Sequence, residues 1–259
     1  MKKHLLKLSS FVSMPLVSLA TISCSNNQNI PPRDYKMIDE EYGLAFNSEG
    51  KITQYISYPG NNYEDITIPE YLTNNTKYTL DEYRNYKQRI TSIWNNVFNT
   101  DTYSNNTSNN IPFNPYAQYL KSIALPNSIE IIGGHAFQGT PLNQIVLPDS
   151  VVDIGDGAFK NCKNLESVKL SKNTKYIGVS AFAYTAIKSI KIPDYVNYID
   201  ADAFYNTQLS GKLDIPDSIK EIGSGAFLGT QITEVSIPNK NFYIAFDAFP
   251  PGCKITIRP

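Results

Sequence analysis

Six copies of the dipeptide Ala-Phe, set at a nearly constant interval, constrain this chain more than any other feature. Their phenylalanines are Phe137, Phe159, Phe182, Phe204, Phe227 and Phe249, at steps of 22, 23, 22, 23 and 22 residues. Eleven residues before them lie Pro126, Pro148, Ser171, Pro193, Pro216 and Pro238. A period of about 20–29 residues means one small supersecondary unit stacked on its copies, a solenoid in which each unit touches only its neighbours. The two longer steps have local causes. One extra residue sits in the turn Asn161-Cys162-Lys163-Asn164, and another, Gly211, bulges the segment between Leu209 and Leu213, so the underlying unit is 22 residues.

Each unit opens with a short alternating segment. Val168 and Leu170 point one way, Ser167 and Lys169 the other, and the pattern recurs at Ile123/Leu125, Ile145/Leu147, Ile190/Ile192, Leu213/Ile215 and Val235/Ile237. Stacked in parallel, these segments are expected to form one sheet with a buried face and a solvated face. Proline ends the segment where its missing N–H is tolerable. The second half of the unit returns along the opposite side with inward pairs such as Ile129/Ile132 and Val151/Ile154, followed by Gly133, Gly155, Gly178 or Gly223. Asp200 and Ala245 fill the same slot, so close packing explains the glycines better than a left-handed backbone does. The phenylalanines then enter the interior as a ladder.

Residues 142–164, LNQIVLPDSVVDIGDGAFKNCKN, display the whole pattern LxxVxLPxSVxxIGxxAFxxCxx. The chain therefore resembles the BspA-type leucine-rich repeat, strongly over residues 120–259 and loosely over 42–119. The resemblance implies a mainly β, right-handed leucine-rich-repeat solenoid of about six to seven 22–23-residue units. It also implies adhesion to host matrix proteins and contact between cells.

The first half of the chain is less regular. Met1-Lys2-Lys3-His4 and Lys7 make a positive start, Leu8 to Ile22 is mostly apolar, and Ser23-Cys24 is followed at once by polar residues. This resembles a bacterial lipoprotein signal peptide over residues 1–23 with Cys24 as the lipidated residue; an ordinary secretory signal is the alternative, and both export the chain. Lipidation of Cys24 would place the protein on the outer face of the cell membrane. Residues 24–41 read as a polar tether. Tyr42, Leu44 and Phe46 alternate, Asn47-Ser48-Glu49-Gly50 can turn, and Ile52 to Ile56 can return, giving a β-hairpin cap for the first repeat. Ile66-Thr67-Ile68-Pro69 and Ile90 to Phe98 then look like the two halves of one divided repeat. Leu80 to Arg89 between them suits a short helix, and Asn99 to Pro115 a mobile Asn-rich loop that either binds a partner or is surface filler.

Little in the chain suggests chemistry. The net charge of −1 gives no electrostatic reason to expect nucleic acid. His135, the only histidine beyond the leader, is expected to be exposed, and neither a Cys-His nor a Ser-His-Asp arrangement falls on neighbouring repeats. No catalytic residue, cofactor or metal site is assigned, and an enzyme is not expected. Asp156, Asp200 and Asp202 form no repeated carboxylate column and read as solvated turn residues. Cys162 and Cys253 lie four repeats apart, roughly 19 Å at about 4.8 Å per strand, too far for the ~7 Å a disulfide spans. They are expected to be free thiols in small apolar sites.

On the solvated side, Lys169, Lys191 and Lys212 occupy successive segments, with Lys188 nearby. They make a stripe suited to acidic polysaccharide or a protein's acidic patch, or else an ordinary solvated face. Tyr176, Tyr195, Tyr198 and Tyr243 fall on the return side. The expected role is that of a monomeric, lipid-anchored, adhesin-like surface protein that binds host matrix or cell-surface protein or polysaccharide. The alternatives are a non-adhesive coat or immune-decoy lipoprotein and a solute-binding lipoprotein of a transporter.

Overall fold

The computed structural model describes residues 37–42, 44–56, 64–73, 87–100 and 114–259. The leader, Cys24 and most of the tether lie outside the described residues. Within them the chain is short strands and turns, with one 3-10 turn at Ala117–Tyr119.

A ten-stranded sheet runs the length of the repeats. Seven of its strands are two residues long: Ser92–Ile93, Ile131–Ile132, Asp153–Ile154, Tyr176–Ile177, Tyr198–Ile199, Glu221–Ile222 and Tyr243–Ile244. All pair in parallel and in register, which stacks their isoleucines in one inward column.

This continuous sheet belongs to the return half of the unit, and here the sequence expectation is corrected. The strand–proline segments pair only in patches. Asp65–Thr67 pairs with Ser122–Ala124, Gln144–Val146 with Ser167–Lys169, and Ser210–Asp214 with Gln231–Ile237, which also pairs with Lys254–Ile257. A constant path length accounts for the continuous half. From the proline position to the phenylalanine every repeat takes eleven residues, so the return halves superimpose. From phenylalanine to the next strand end the path varies: Phe159 to Ser171 and Phe204 to Pro216 take twelve residues, Phe182 to Pro193 eleven. Both insertions fall on the strand–proline side, and the ladder shifts register at Gly211/Lys212.

The phenylalanine ladder is continuous. Phe98 stacks on Phe137 at 5.0 Å between ring centroids, and the steps from Phe137 to Phe249 are 5.2–5.3 Å with ring planes within 7° of parallel. Parallel rings that far apart are offset, the arrangement their quadrupoles favour. Three residues beyond phenylalanine, Thr140, Thr185 and Thr230 donate their hydroxyls to the phenylalanine carbonyls at 2.7–2.9 Å. Cys162 fills the same slot, buried, and its thiol donates to the Phe137 carbonyl. Neither cysteine is in a disulfide, and Cys253, half-buried, packs against the hydrophobic core, so both occupy apolar surroundings but only Cys162 is enclosed.

The glycines do serve close approach. A Cβ at Gly133 would lie 2.7 Å from the Ile93 carbonyl oxygen, and one at Gly223 2.5 Å from the Ala201 nitrogen. Left-handed backbone occurs two residues later, where His135, Gly157, Ser180, Asp202 and Gly225 have φ of 54–63°. His135 is half-buried rather than exposed, with Nδ1 2.5 Å from Gln138 Oε1.

At the N-terminal end Leu44–Phe46 and Lys51–Tyr55 form the expected hairpin, and Lys51–Tyr55 joins the solenoid in parallel through Ser92–Ile93. Met37–Asp39, assigned by sequence to the tether, pairs with Leu44–Phe46 and belongs to this cap. Tyr55 closes the ring ladder at 5.1 Å from Phe98. Lys87–Arg89 is a strand paired with Tyr71–Thr73, not part of a helix; residues 80–86 lie outside the described residues. Of the expected loop 99–115, Asn99 and Asn114 are buried, and Asn114 donates its amide to the carbonyls of Tyr55 and Val97 at 3.0 and 2.9 Å.

Candidate functional site

The solenoid presents two long sides to solvent, and they differ chemically. On the continuous sheet, the residue before each inward isoleucine lies on the opposite face, exposed or half-buried in every strand but the first, where Ser92 is buried. Register places Ser92, Ile131, Asp153, Tyr176, Tyr198, Glu221 and Tyr243 in one row. Ile131 is 44% exposed, Tyr198 39% and Tyr243 60%. The Tyr176 hydroxyl donates to Asp200 Oδ2 at 2.6 Å; that bond, with burial, holds the phenol above its ordinary pKa. The Tyr176 and Tyr198 rings meet at 6.5 Å, and the Lys220 ammonium stands 5.7 Å from the Tyr198 ring centre. Asp200, Asp156 and their neighbours act locally: Asp200 Oδ1 accepts the Ala201 N–H and Asp156 Oδ1 the Val179 N–H, each at 2.9 Å. Among the described residues, no group of three or more His, Cys, Asp or Glu is placed to hold a metal.

The strand–proline side carries the lysines, and the structure divides them. Lys212 stands 3.9 Å from both Asp214 and Glu234, and Lys188 pairs with Glu166 at 2.9 Å. Lys169 and Lys191 have no ion-pair partner among the described residues, and both line one cleft of about 580 Å³ between the third and fourth repeats. Its apolar lining is Val168, Leu170 and Pro193, and Tyr195, 60% exposed, stands at its rim rather than on the return side. Lys172 closes the cleft's other end and is bound to Asp149 at 2.8 Å. That hydrogen bond holds the Asp149 carboxyl below its ordinary range and the Lys172 ammonium above its own. A second cleft, about 540 Å³, lies between repeats four and five and includes Lys191, Lys212 and the Arg258–Asp217 pair.

Compared with known proteins, residues 102–210 and 197–257 match the BspA type leucine rich repeat region, in six copies. The chain belongs to the BspA-type leucine-rich-repeat family. The match begins earlier than the strong sequence resemblance at residue 120 and ends near the last strand. No curated protein matches the chain. Among solved structures, the leucine-rich repeat protein of T. pallidum aligns with 81% of this chain and 86% of its own at 19% identity and a TM-score of 0.53. At that identity the likeness concerns the fold. A Eubacterium ventriosum leucine-rich repeat protein aligns over 45% of this chain at 23% identity and a TM-score of 0.41, and the match spans 32% of that protein. A Bacteroides ovatus one aligns over 84% of this chain and 67% of its own at 20% identity and a TM-score of 0.37.

For this BspA-type protein, the sequence located the lysines and tyrosines but not their grouping. The spacing of one repeat that separates Glu166 from Lys188 and Lys212 from Glu234 was a usable signal for their pairing. The cleft beside Lys169 and Lys191 had no signal of its own.

Proposed function

We propose that this protein is a lipid-anchored surface scaffold that binds host or cell-surface proteins, adhesin-like, through the outer row of its ten-stranded sheet. One observation carries the reading: a rigid sheet presents Ile131, Tyr198 and Tyr243 to solvent along a single register row. Exposed aromatics on a fixed backbone lose little freedom on docking and are typical anchors of protein interfaces. Family membership supports protein binding in general. The leader and Cys24 support export and anchoring, with the sheet held away from the membrane by the tether.

The test is a binding assay with protein lacking residues 1–24, titrated against immobilised matrix proteins and host cells. Saturable binding that drops about thirtyfold or more in Tyr198→Ala/Tyr243→Ala is expected, since interface tyrosines commonly contribute about 1–2 kcal/mol each and about 1.4 kcal/mol is tenfold. Absence of saturable binding to any of these surfaces would favour a coat or decoy role instead. Mass spectrometry of the membrane-bound protein is expected to find lipid on Cys24; an unmodified thiol there overturns the anchor.

A further inference from the structure

The fourth repeat breaks the strand–proline side on both of its edges. Its segment 186–192 occupies the place where the other repeats put a strand, yet it is not one. No hydrogen bond reaches any backbone N–H or C=O of these residues among the described residues. On one flank Ser167–Lys169 pairs only with Gln144–Val146, and on the other Ser210–Asp214 pairs only with Gln231–Ile237. Three neighbouring segments therefore present four open backbone edges, although the phenylalanine ladder beneath keeps its 5.2 and 5.3 Å steps there. The floor is open too. Val168 and Ile190, the first inward residues of repeats three and four, are only half-buried, whereas their counterparts Ile145 and Val235 are fully buried.

Charge separates the two clefts that flank the segment. Between repeats four and five, Lys212 is answered by Asp214 and Glu234, and Arg258 by Asp217. Between repeats three and four, three lysines (Lys169, Lys172 and Lys191) meet two carboxylates (Asp149 and Asp194). Lys172 holds Asp149, whose carboxyl also feels the charge of Lys169. Neither Lys169 nor Lys191 has an ion pair among the described residues, which leaves the cleft with an excess of positive charge. A ligand there has to bring backbone donors and acceptors, alternate apolar with anionic groups, and be thin enough to lie along a strand edge.

We propose that the cleft between repeats three and four binds an extended acidic peptide segment of a partner protein. The peptide adds as a strand to the open edge at 186–192. Its alternate side chains fall on two sides, so apolar residues meet Val168, Leu170 and Pro193 while carboxylates meet Lys169 and Lys191. Tyr195 flanks the entrance. This site is on the opposite side of the solenoid from the tyrosine row and gives the binding role above a second, charge-selective contact.

The test titrates fluorescein-labelled (Glu-Val)4 peptide into the full chain in detergent, with three companions. These are the same peptide N-methylated at alternate residues, a (Lys-Val)4 peptide, and polygalacturonate oligosaccharide. Saturable binding of (Glu-Val)4 alone is expected, weakened about tenfold in Lys169→Ala/Lys191→Ala and less than about twofold in Lys212→Ala, and weakened by added salt. Equal binding of the N-methylated peptide, or unchanged affinity in the double lysine variant, overturns strand addition at this cleft. Binding of polygalacturonate but not peptide overturns it in favour of a glycan site. Matrix and cell binding by the same double variant, run in parallel, separates the two ideas. If wild type binds those surfaces but not the peptide, this site fails and the tyrosine row stands; if it binds only the peptide, the reverse holds.

Discussion

At the scale of single residues, phenylalanine and lysine define the extremes. Phe182 is fully buried between Phe159 and Phe204, with rings 5.2 and 5.3 Å away, so truncating it removes contacts on both sides at once. A buried Phe→Ala change costs about 3–5 kcal/mol, because the transfer energy and the new cavity add. Lys169, solvent-exposed and without an ion pair among the described residues, should cost less than about 0.5 kcal/mol when truncated. Thermal unfolding of Phe182→Ala is therefore expected well below that of Lys169→Ala, which should overlay wild type. Equal losses in the two variants would show that the ring ladder does not dominate the core.

At the scale of the element, the two-residue strands carry a built-in conflict at Asp153. This side chain is half-buried on the outer row, and burial first, then the charge of Asp156, raises its pKa above the ordinary aspartate range. Folding thus favours the protonated acid. At neutral pH the ionised form penalises the folded state. The penalty fades as pH falls through the raised folded-state value and is gone below about 4, where the unfolded chain is protonated too. Asp153→Asn should raise the melting temperature at pH 7 and leave it unchanged at about pH 3.5. A gain of the same size at both values would mean that charge is not the cause. The strands themselves were only partly legible in the sequence. Alternation at Ile145/Leu147 or Leu213/Ile215 correctly named the inward residues, and the constant eleven-residue path from Pro148 to Phe159 or Pro193 to Phe204 made the return halves identical. Alternation does not record which side keeps an unbroken ladder: Gln144–Val146 and Ser167–Lys169 pair in register across the extra residue near Asn161, whereas Gly211 shifts the register of its own ladder. The lysine stripe divided for a related reason. Lys212 has Glu234 and Asp214 within 3.9 Å while Lys191 has neither, a difference set by neighbouring repeats rather than by Lys212's own segment.

At the scale of the whole molecule, the chain behaves as a row of interfaces, each between one turn and the next. Strength is uneven across its width. The return side is tied at every step by paired strands, while the strand–proline side is tied in three patches and released at residues 186–192. Along its length the row needs an end piece, because the first turn would otherwise expose Phe98 and Ile93; Tyr55 and the hairpin cover them. Damage to the cap should consequently stay near the cap. In Tyr55→Ala, native-state hydrogen exchange is expected to accelerate at the amides of Trp94, Phe98 and Gly133, which bond across the first interfaces to Ile52, Ala136 and Ile93. The amides of Asp200 and Gly223, bonded to Ile177 and Ile199 several turns away, should keep their wild-type protection. In Phe182→Ala the order reverses, with Asp200 losing protection before Trp94. If Tyr55→Ala instead lowers protection by the same factor at Trp94 and Gly223, the solenoid opens only as a single cooperative unit, and nearest-neighbour coupling along the repeats is the wrong description of its stability.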